Sequence, residues 1–438
     1  MKTTITTLLA TTTLLLAQGP LTPPGAPAPT MKTLDQLEPR TPLIAGSPGV
    51  SINGSGTITI SQSGSYYLTG NLTVTSGDGI LITAAGVTLD LNGFTITSTA
   101  PSPTGDGIDI DASNISIFNG HILSGVTYNS GATGDQFTGS GFRNGILADF
   151  NAYENIRLQN LSVQGVDLFG IYCANTSSTL AESCTVRLCA STGIQAGLVK
   201  HCLVQNAGGG GIIAREVSFC HANSVGADGI DAFYNVSNST GVTTSTSTAG
   251  HGIEASGNVM NSYGISSGGD GISASGNVSN SFGSTTGTSS ISDGIDAIRN
   301  VTNSYGKSKG GDGIESSGSV SNSYGDTDGT GDGISSVLNV TNSYGISDGD
   351  DGIESSVSVF NSYGRTNAMT TSADGISAGF NVMNSYGNCT GDDGIDANGT
   401  ISYSRGFTSG TGVGLECIIA IGCTSSGGET INNKYLMP

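Results

Sequence analysis

The sequence predicts an all-β fold, a parallel β-helix of about sixteen coils, and three observations lead to this prediction. A Gly-Ile pair recurs every 19–23 residues from Gly229-Ile230 to Gly394-Ile395, and a valine or isoleucine follows each isoleucine six positions later. Apolar and polar residues alternate at period two in short runs, as strands require, and no run has helical spacing. The 438 residues include 69 glycines, which favours many tight turns.

The repeat has a fixed core and one turn of variable length. Five positions after each valine stands another glycine, such as Gly264 or Gly325, and all length variation lies between that glycine and the next isoleucine. This pattern is typical of a solenoid, in which each coil stacks on the one before it. The sixteen coils are counted from Ile80, Ile108, Ile146, Ile171, Ile194, Ile212, Ile230, Ile253, Ile272, Ile295, Ile314, Ile334, Ile353, Ile376, Ile395 and Leu415.

Composition divides the chain into five segments. Residues 1–17 have a lysine followed by an apolar stretch and a small residue, which predicts a signal peptide. Residues 18–50 form a Pro-rich linker and N-terminal cap, with a short helix expected within 31–43. Irregular coils with long inserts occupy 51–225, regular repeats of 19–23 residues occupy 226–425, and 426–438 form a C-terminal tail or cap. No apolar run of 18 residues follows the leader, so no transmembrane segment is expected.

Two side-chain columns accompany the isoleucines and valines. In the coil that begins at Ile253, alternation predicts that Asn261 and Tyr263 share the inward face of Val259. Inward asparagines would bond to one another along the stack. The aromatic column is interpreted as a structural stack near a corner; the alternative, a carbohydrate-stacking platform, requires outward rings. The columns are Asn261, Asn280, Asn303, Asn322, Asn342, Asn361 and Asn384, and Tyr263, Phe282, Tyr305, Tyr324, Tyr344, Tyr363 and Tyr386.

Residues 64–98, GSYYLTGNLTVTSGDGILITAAGVTLDLNGFTITS, resemble the opening of bacterial secreted parallel β-helix proteins of the pectin-lyase-like superfamily. The resemblance implies that the solenoid is a single-stranded right-handed β-helix. Members of that superfamily include polysaccharide lyases, glycoside hydrolases, epimerases and adhesins, so the resemblance leaves function open. The chain lacks the Arg-Ile-Lys segment of the hydrolases, a clear lyase base with calcium carboxylates, and a Met- or His-rich copper site.

The segment TAGHGIEASGNV, residues 248–259, contains Gly250-His251-Gly252, a tripeptide that pectin-hydrolysing polygalacturonases carry in their active sites. In the repeat, however, His251 occupies a column that elsewhere holds aspartate, as at Asp228 and Asp270. An aspartate before glycine accepts backbone N–H bonds in a turn, which needs no catalysis. We therefore interpret His251 as a substituted turn residue and assign no catalytic residue and no metal ligand.

The residue after each isoleucine is expected to face outward, and it is acidic in six of nine regular coils. The six are candidates for binding a ligand or a cation, with calcium as the candidate cation and no other cofactor expected: Asp231, Glu254, Asp296, Glu315, Glu354 and Asp396. Neighbouring carboxylates would lie ~5 Å apart. The alternative is a solvated acidic face.

Three of the eight cysteines share one column. Cys184, Cys202 and Cys220 fall 18 residues apart, where later coils have Ser239 and Ser262. We predict a partly buried thiol ladder in preference to a redox or metal site. The disulfide pairing of the eight cysteines stays open at this stage.

These features predict a secreted protein, located outside the cell, at its surface or in the periplasm, with a binding, adhesion or structural role. Polysaccharide or cell-surface components are the expected partners. Nucleic acid is excluded because 34 acidic residues face 14 basic ones, for a net charge of −20. The alternative is a carbohydrate-active enzyme, a polysaccharide lyase or glycoside hydrolase, with its site in the irregular coils 100–200. There, long inserts would wall a cleft around carboxylates or Arg143. The oligomeric state is left open.

Overall fold

The computed structural model describes residues 40–129 and 136–435. The chain divides into two units at Arg40, and the second unit, from Thr41 onward, is the solenoid. Within the described residues there is no helix, and 48 strands join into one stack of sheets. The predicted parallel β-helix is confirmed. The expected signal peptide and most of the segment 31–43 lie outside the described residues. No described helix meets the length and hydropathy that a bilayer span needs.

Each regular coil has three strands. In the coil that begins at Ile253 they are Ile253–Ala255, Val259–Met260 and Tyr263–Ser266. Each strand pairs in parallel with the same strand of the next coil. The molecule thus has a first, a second and a third sheet, each running the length of the stack.

The first sheet contains eighteen rungs, two more than the sequence predicts. The additional rungs begin at Ile58 and Glu429 and were missed because neither has the Gly-Ile pattern. The rungs are Ile58–Ile60, Ile80–Ile82, Asp106–Ile110, Asn144–Ala148, Ile171–Cys173, Ile194–Lys200, Ile212–Ser218, Ile230–Ala232, Ile253–Ala255, Ile272–Ala274, Ile295–Ala297, Ile314–Ser316, Ile334–Ser336, Ile353–Ser355, Ile376–Ala378, Ile395–Ser402, Leu415–Ile421 and Glu429–Tyr435.

The second sheet continues from the first across a short turn, and the longest first-sheet strands run directly into it. Its separate strands are Thr41–Pro42, Gly64–Tyr67, Val87–Asp90, Ile115–Leu123, Ile156–Val166, Leu180–Glu182, Val236–Ser237, Val259–Met260, Val278–Ser279, Val301–Thr302, Val320–Ser321, Val340–Thr341, Ser358–Phe360 and Asn381–Met383. The strands Ile115–Leu123 and Ile156–Val166 extend into the third sheet as well.

The third sheet ends each coil. Its separate strands are Leu72–Val74, Thr95–Ser98, Thr185–Cys189, Leu203–Ala207, His221–Ser224, Thr240–Thr243, Tyr263–Ser266, Phe282–Thr285, Tyr305–Ser308, Tyr324–Thr327, Tyr344–Ser347, Tyr363–Thr366, Tyr386–Cys389, Arg405–Thr408 and Thr424–Ser426. Two antiparallel pairings complete the described strands: Val50–Ile52 lies against the first rung, and Thr127–Tyr128 pairs with Phe137–Thr138 in an insert.

The corner between the second and third sheets corrects the predicted orientation of the asparagine column. Asn261 has a left-handed φ of 50°, and the same conformation recurs in the asparagine of each neighbouring coil. Asparagine tolerates this conformation better than most residues. The bend interrupts the alternation, so that Asn261 and Tyr263 face outward while Ser262 points into the core. The prediction of inward asparagines was therefore wrong.

Buried ladders fill the interior. The isoleucines of the first sheet and the valines of the second are fully buried from Ile253 and Val259 to Ile395 and Ile401. Glycine is required where the third sheet meets the first strand of the next coil, because a Cβ on Gly325 would overlap the carbonyl oxygen of Gly333. This close approach explains why the residue five positions after each valine is always glycine within the repeat.

Candidate functional site

A long, open groove of about 1290 Å³ follows the corner between the second and third sheets. Three columns line it: the outward asparagines, the inward serines at its floor and the aromatic residues. It extends from Asn238 to Thr424, and Arg405 is the one charged residue among the described side chains that line it. The groove exists because the left-handed asparagines turn the chain and bring their amides beside the outward rings.

The asparagine amides bond in pairs along the groove. Nδ2 of Asn261 donates to Oδ1 of Asn238 at 3.3 Å, and Nδ2 of Asn303 donates to Oδ1 of Asn280 at 3.2 Å. The pairs Asn322–Asn342 and Asn361–Asn384 repeat this arrangement. Among the described residues, no link joins one pair to the next. Each pair therefore offers one amide donor and one carbonyl acceptor to a molecule in the groove.

The aromatic side chains face outward and contact each other along the stack. Consecutive ring centroids from Tyr263 to Tyr386 are 4.5–5.2 Å apart, and the rings of the Tyr263–Phe282 pair are stacked and nearly parallel, at 9°. The guanidinium of Arg405 lies over the ring of Tyr386, 5.5 Å from its centroid. Three of the ring pairs stack face to face, and Phe282–Tyr305 meets edge to face, so the rings combine the predicted structural stack with the outward orientation that ligand contact requires.

The serine floor shows that the predicted cysteine column is correct. The backbone N–H of Ser262 donates to Oγ of Ser281, and the N–H of Cys184 donates in the same way to Sγ of Cys202. Cys184, Cys202 and Cys220 are buried, and the structure contains all eight cysteines as free thiols. Cysteine and serine thus perform the same structural role in successive coils.

The acidic candidates lie on the opposite side of the coil, on the outer surface of the first sheet. Asp231 is in register with Glu254, and Asp296 with Glu315. Glu354 lies between two serines, whereas Asp396 lies between Ser377 and Glu416. The structure therefore brings the six residues onto one face as two adjacent pairs and two separate acids, rather than as one continuous strip.

Beside this face runs the Asp ladder: Asp228, His251, Asp270, Asp293, Asp312, Asp332, Asp351, Asp374 and Asp393. Oδ1 of Asp293 accepts the backbone N–H of Asp312 at 2.6 Å, and Oδ1 of Asp332 accepts that of Asp351 at 2.9 Å. Each carboxylate thus accepts a bond from the next coil. The sequence, by contrast, predicts that these bonds lie within a single turn. Most of these aspartates are buried, including Asp293 at 4% exposure.

Burial raises the pKa of seven of the ladder carboxyls, and neighbouring carboxylates add to the effect. The pKa of Asp293 rises to about 10, because it is buried between Asp312 and Asp270. Burial and the charge of Glu254 raise the pKa of Asp231 to about 6. The pKa of Asp296 also rises to about 6, because the residue is buried and lies near the charges of Asp270 and Glu315. This face consequently holds protons that isolated aspartates would release.

His251 continues the Asp ladder, as its alignment predicts. Its backbone N–H donates to Oδ1 of Asp228 at 2.7 Å, and its Nδ1 accepts the N–H of Asp270 at 3.0 Å. The imidazole thus replaces a carboxylate in the bond between coils. Sequence analysis did not predict that a ring nitrogen of His251, an oxygen of Asp228 and an oxygen of Glu254 lie within 4.8 Å of one another. The only signal is a histidine in the aspartate column three residues before a glutamate.

In the irregular coils, carboxylates converge on the first sheet. Asp78, Asp106 and Asp109 place one oxygen each within 4.8 Å of the others. Burial raises the pKa of Asp106 to about 6, and burial with the charge of Asp111 raises that of Asp109 to about 7. The groove formed by the inserts is separate, lined by Tyr128, Phe137 and small residues, and contains neither a carboxylate nor Arg143.

Comparisons with protein-family models, curated proteins and solved structures find no match to this chain.

Proposed function

We propose that this protein is a secreted, non-catalytic binding protein that holds a neutral, hydroxyl-rich polysaccharide along the asparagine–aromatic groove. The observation that carries the proposal is the repeated display of amide donors and acceptors beside outward tyrosines in an open groove. Hydroxyl-rich chains both donate and accept hydrogen bonds, and amide side chains match both demands. The apolar leader expected at residues 1–17 supports export.

The length and charge of the groove define the ligand further. Eight asparagines from Asn238 to Asn384 cover seven coil steps, or about 34 Å at ~4.8 Å per step. An extended polymer parallel to the solenoid axis fits this shape, whereas a small molecule would use a fraction of it. A neutral chain is favoured because the net charge of −20 repels polyanions.

Binding of soluble neutral polysaccharides, such as hydroxyethyl cellulose, xyloglucan and galactomannan, tests the proposal by affinity electrophoresis. The variant Asn303→Gly/Asn342→Gly removes two amides while glycine retains the left-handed backbone. We expect binding to weaken about tenfold, as the loss of two net hydrogen bonds of about 0.5–1.5 kcal/mol each implies. Glu315→Ser, on the opposite face, is the matched control and should bind like the parent protein.

Two outcomes contradict the proposal: none of these polysaccharides retards the protein, or the double glycine variant binds as strongly as the Glu315→Ser control. Longer oligosaccharides should also bind more tightly until they fill the groove. An affinity independent of length would exclude binding along the axis.

The second candidate function is hydrolysis of a polysaccharide by the Asp78–Asp106–Asp109 cluster. The raised pKa of Asp109, about 7, favours it, because a carboxyl that keeps its proton near neutrality can act as a general acid. Release of reducing ends from the same polysaccharides is the test. Asp109→Asn should abolish the release, and Asp348→Asn, an exposed aspartate elsewhere, should not. Release that survives Asp109→Asn would exclude this cluster as its origin.

A further inference from the structure

One position of the Asp ladder differs chemically from all the others. His251 brings an imidazole to a column of carboxylates, with Asp228 in the preceding coil and Glu254 three residues ahead on the outer face. One donor atom from each of the three residues lies within 4.8 Å of the other two. All three side chains are accessible to solvent, since Glu254 is exposed and the other two are partly buried.

The ladder contacts leave donor atoms for a ligand. Oδ1 of Asp228 accepts the N–H of His251, so its Oδ2 remains available. Nδ1 of His251 lies 3.0 Å from the N–H of Asp270 and 3.3 Å from Oδ2 of the same residue. In the ladder bond Nδ1 is an acceptor, so the proton of the neutral imidazole lies on Nε2. Binding of a cation through Nε2 requires the other tautomer, in which the proton lies on Nδ1 and is donated to Oδ2 of Asp270, in place of the bond from the Asp270 N–H. A carboxylate in this position commonly orients a metal-binding histidine.

We propose that Asp228, His251 and Glu254 form a binding site for a borderline divalent cation such as Zn²⁺. Zinc accepts imidazole nitrogen and carboxylate oxygen as ligands, with water completing the coordination. Imidazole favours zinc, nickel and copper, whereas sites made only of carboxylates favour calcium and magnesium. The site is distinct from the groove, which lies at another corner of the coil.

The chain contains a matched cluster that lacks only the imidazole. Asp293, Asp312 and Glu315 occupy the same three positions three coils further on, and their donor oxygens also lie within 4.8 Å of one another. Asp312 is the counterpart of His251, and Asp296 lies in register with Glu315 as Asp231 does with Glu254. Comparing Zn²⁺ binding by the two clusters therefore separates the contribution of the imidazole to affinity from the contribution of local negative charge.

Titration calorimetry of the full, tag-free chain with Zn²⁺ and with Ca²⁺ tests the proposal. We expect one Zn²⁺ site in the parent protein and at least about tenfold weaker Zn²⁺ binding in His251→Asp, with Ca²⁺ binding retained. This variant restores the ladder aspartate, and a cooperative thermal transition checks that it folds. Asp312→His should raise the number of Zn²⁺ sites from one to two.

Zn²⁺ binding that is absent from the parent, or equally strong in His251→Asp, would overturn the proposal. In the second case the cation is bound elsewhere, and the cysteine column offers thiols, which also bind zinc. If Asp312→His folds normally but gains no Zn²⁺ site, then an imidazole with two carboxylates at this spacing does not bind zinc, which would also overturn the proposal.

Discussion

At the scale of single residues, the Asp ladder combines a favourable bond with an unfavourable charge. Oδ1 of each buried aspartate accepts an N–H from the next coil, as Asp293 does from Asp312. A hydrogen bond of this kind needs only the oxygen and not the negative charge. The charge, by contrast, is desolvated and faces other carboxylates, so the pKa rises. Protonation keeps the bond and removes the repulsion.

The ladder makes stability depend on pH. The pKa is about 10 for Asp293 and about 8 for Asp374 in the folded protein, against 3.8 for an ordinary aspartate. A raised folded-state pKa gives stability that is complete below pH 3.8 and is lost as pH rises through the folded-state value. We expect the melting temperature to fall progressively between pH 5 and pH 9. Thermal melts monitored by circular dichroism across this range measure the effect.

Asp293→Asn isolates the charge, because asparagine keeps the oxygen that accepts the N–H of Asp312. We expect its melting temperature to exceed that of the parent by a few degrees at pH 8, and the difference to shrink towards zero as the pH falls to 3.8. Asp348→Asn, exposed and bonded to Asn367, is the control and should leave the curve unchanged. If Asp293→Asn lowers the melting temperature at pH 8, the buried carboxylate is stabilising and the argument fails.

Sequence reasoning succeeded where a residue's role follows from position in the repeat. The isoleucine, valine and cysteine columns, and the substitution at His251, could be aligned by counting alone. The orientation of Asn261 could not, because a left-handed residue interrupts period two without changing the spacing. The groove was missed for the same reason. The closeness of Asp228, His251 and Glu254 depends on side-chain direction, which spacing does not specify.

At the scale of one coil, packing rests on two contacts that leave little room. Val320 is fully buried between the valines of the adjacent coils, and Gly325 passes directly against the backbone at Gly333. Because each coil contacts only its neighbours, a defect in one coil is not compensated by distant contacts. A substitution should therefore destabilise mainly the coil that contains it.

Two substitutions test this packing. Val320→Asp places an unpaired charge in the valine ladder and should cost more than about 4 kcal/mol. Gly325→Ala forces the backbone apart at Gly333 and should also destabilise, whereas Gly70→Ala is the control, since nothing lies within 4 Å of the added Cβ. Chemical denaturation measures all three. An unchanged midpoint for both Val320→Asp and Gly325→Ala would contradict the coil packing described above.

At the scale of the whole solenoid, the acidic residues of the first sheet and the Asp ladder form one negatively charged face. Two carboxylates ~5 Å apart repel by about 0.8 kcal/mol in bulk water, and more strongly where water is excluded. These repulsions accumulate coil by coil. Clusters such as Asp293, Asp312 and Glu315 offer several oxygens close together, which suits calcium better than sodium.

We expect millimolar calcium at pH 8 to raise the melting temperature more than sodium chloride of equal ionic strength. Asp296→Ser/Glu315→Ser should reduce that difference, since serine already occupies this position at Ser273 and Ser335. Asp328→Ser/Asp348→Ser removes two exposed charges elsewhere and serves as the control. Equal effects of the two salts on the parent protein would identify the face as merely solvated.

The Asp ladder also has the form of a one-dimensional row of interacting acids, with seven aspartates in succession from Asp270 to Asp393. Nearest-neighbour repulsion in such a row favours an alternating pattern, in which every second site is ionised. The pKa values of Asp293 and Asp312, about 10 and about 7, and those of Asp374 and Asp393, about 8 and about 6, follow this order. Asp351 departs from it, because burial, Asp374, Asp350 and Glu354 all raise its pKa. The solenoid should therefore release its ladder protons over several pH units rather than in a single step.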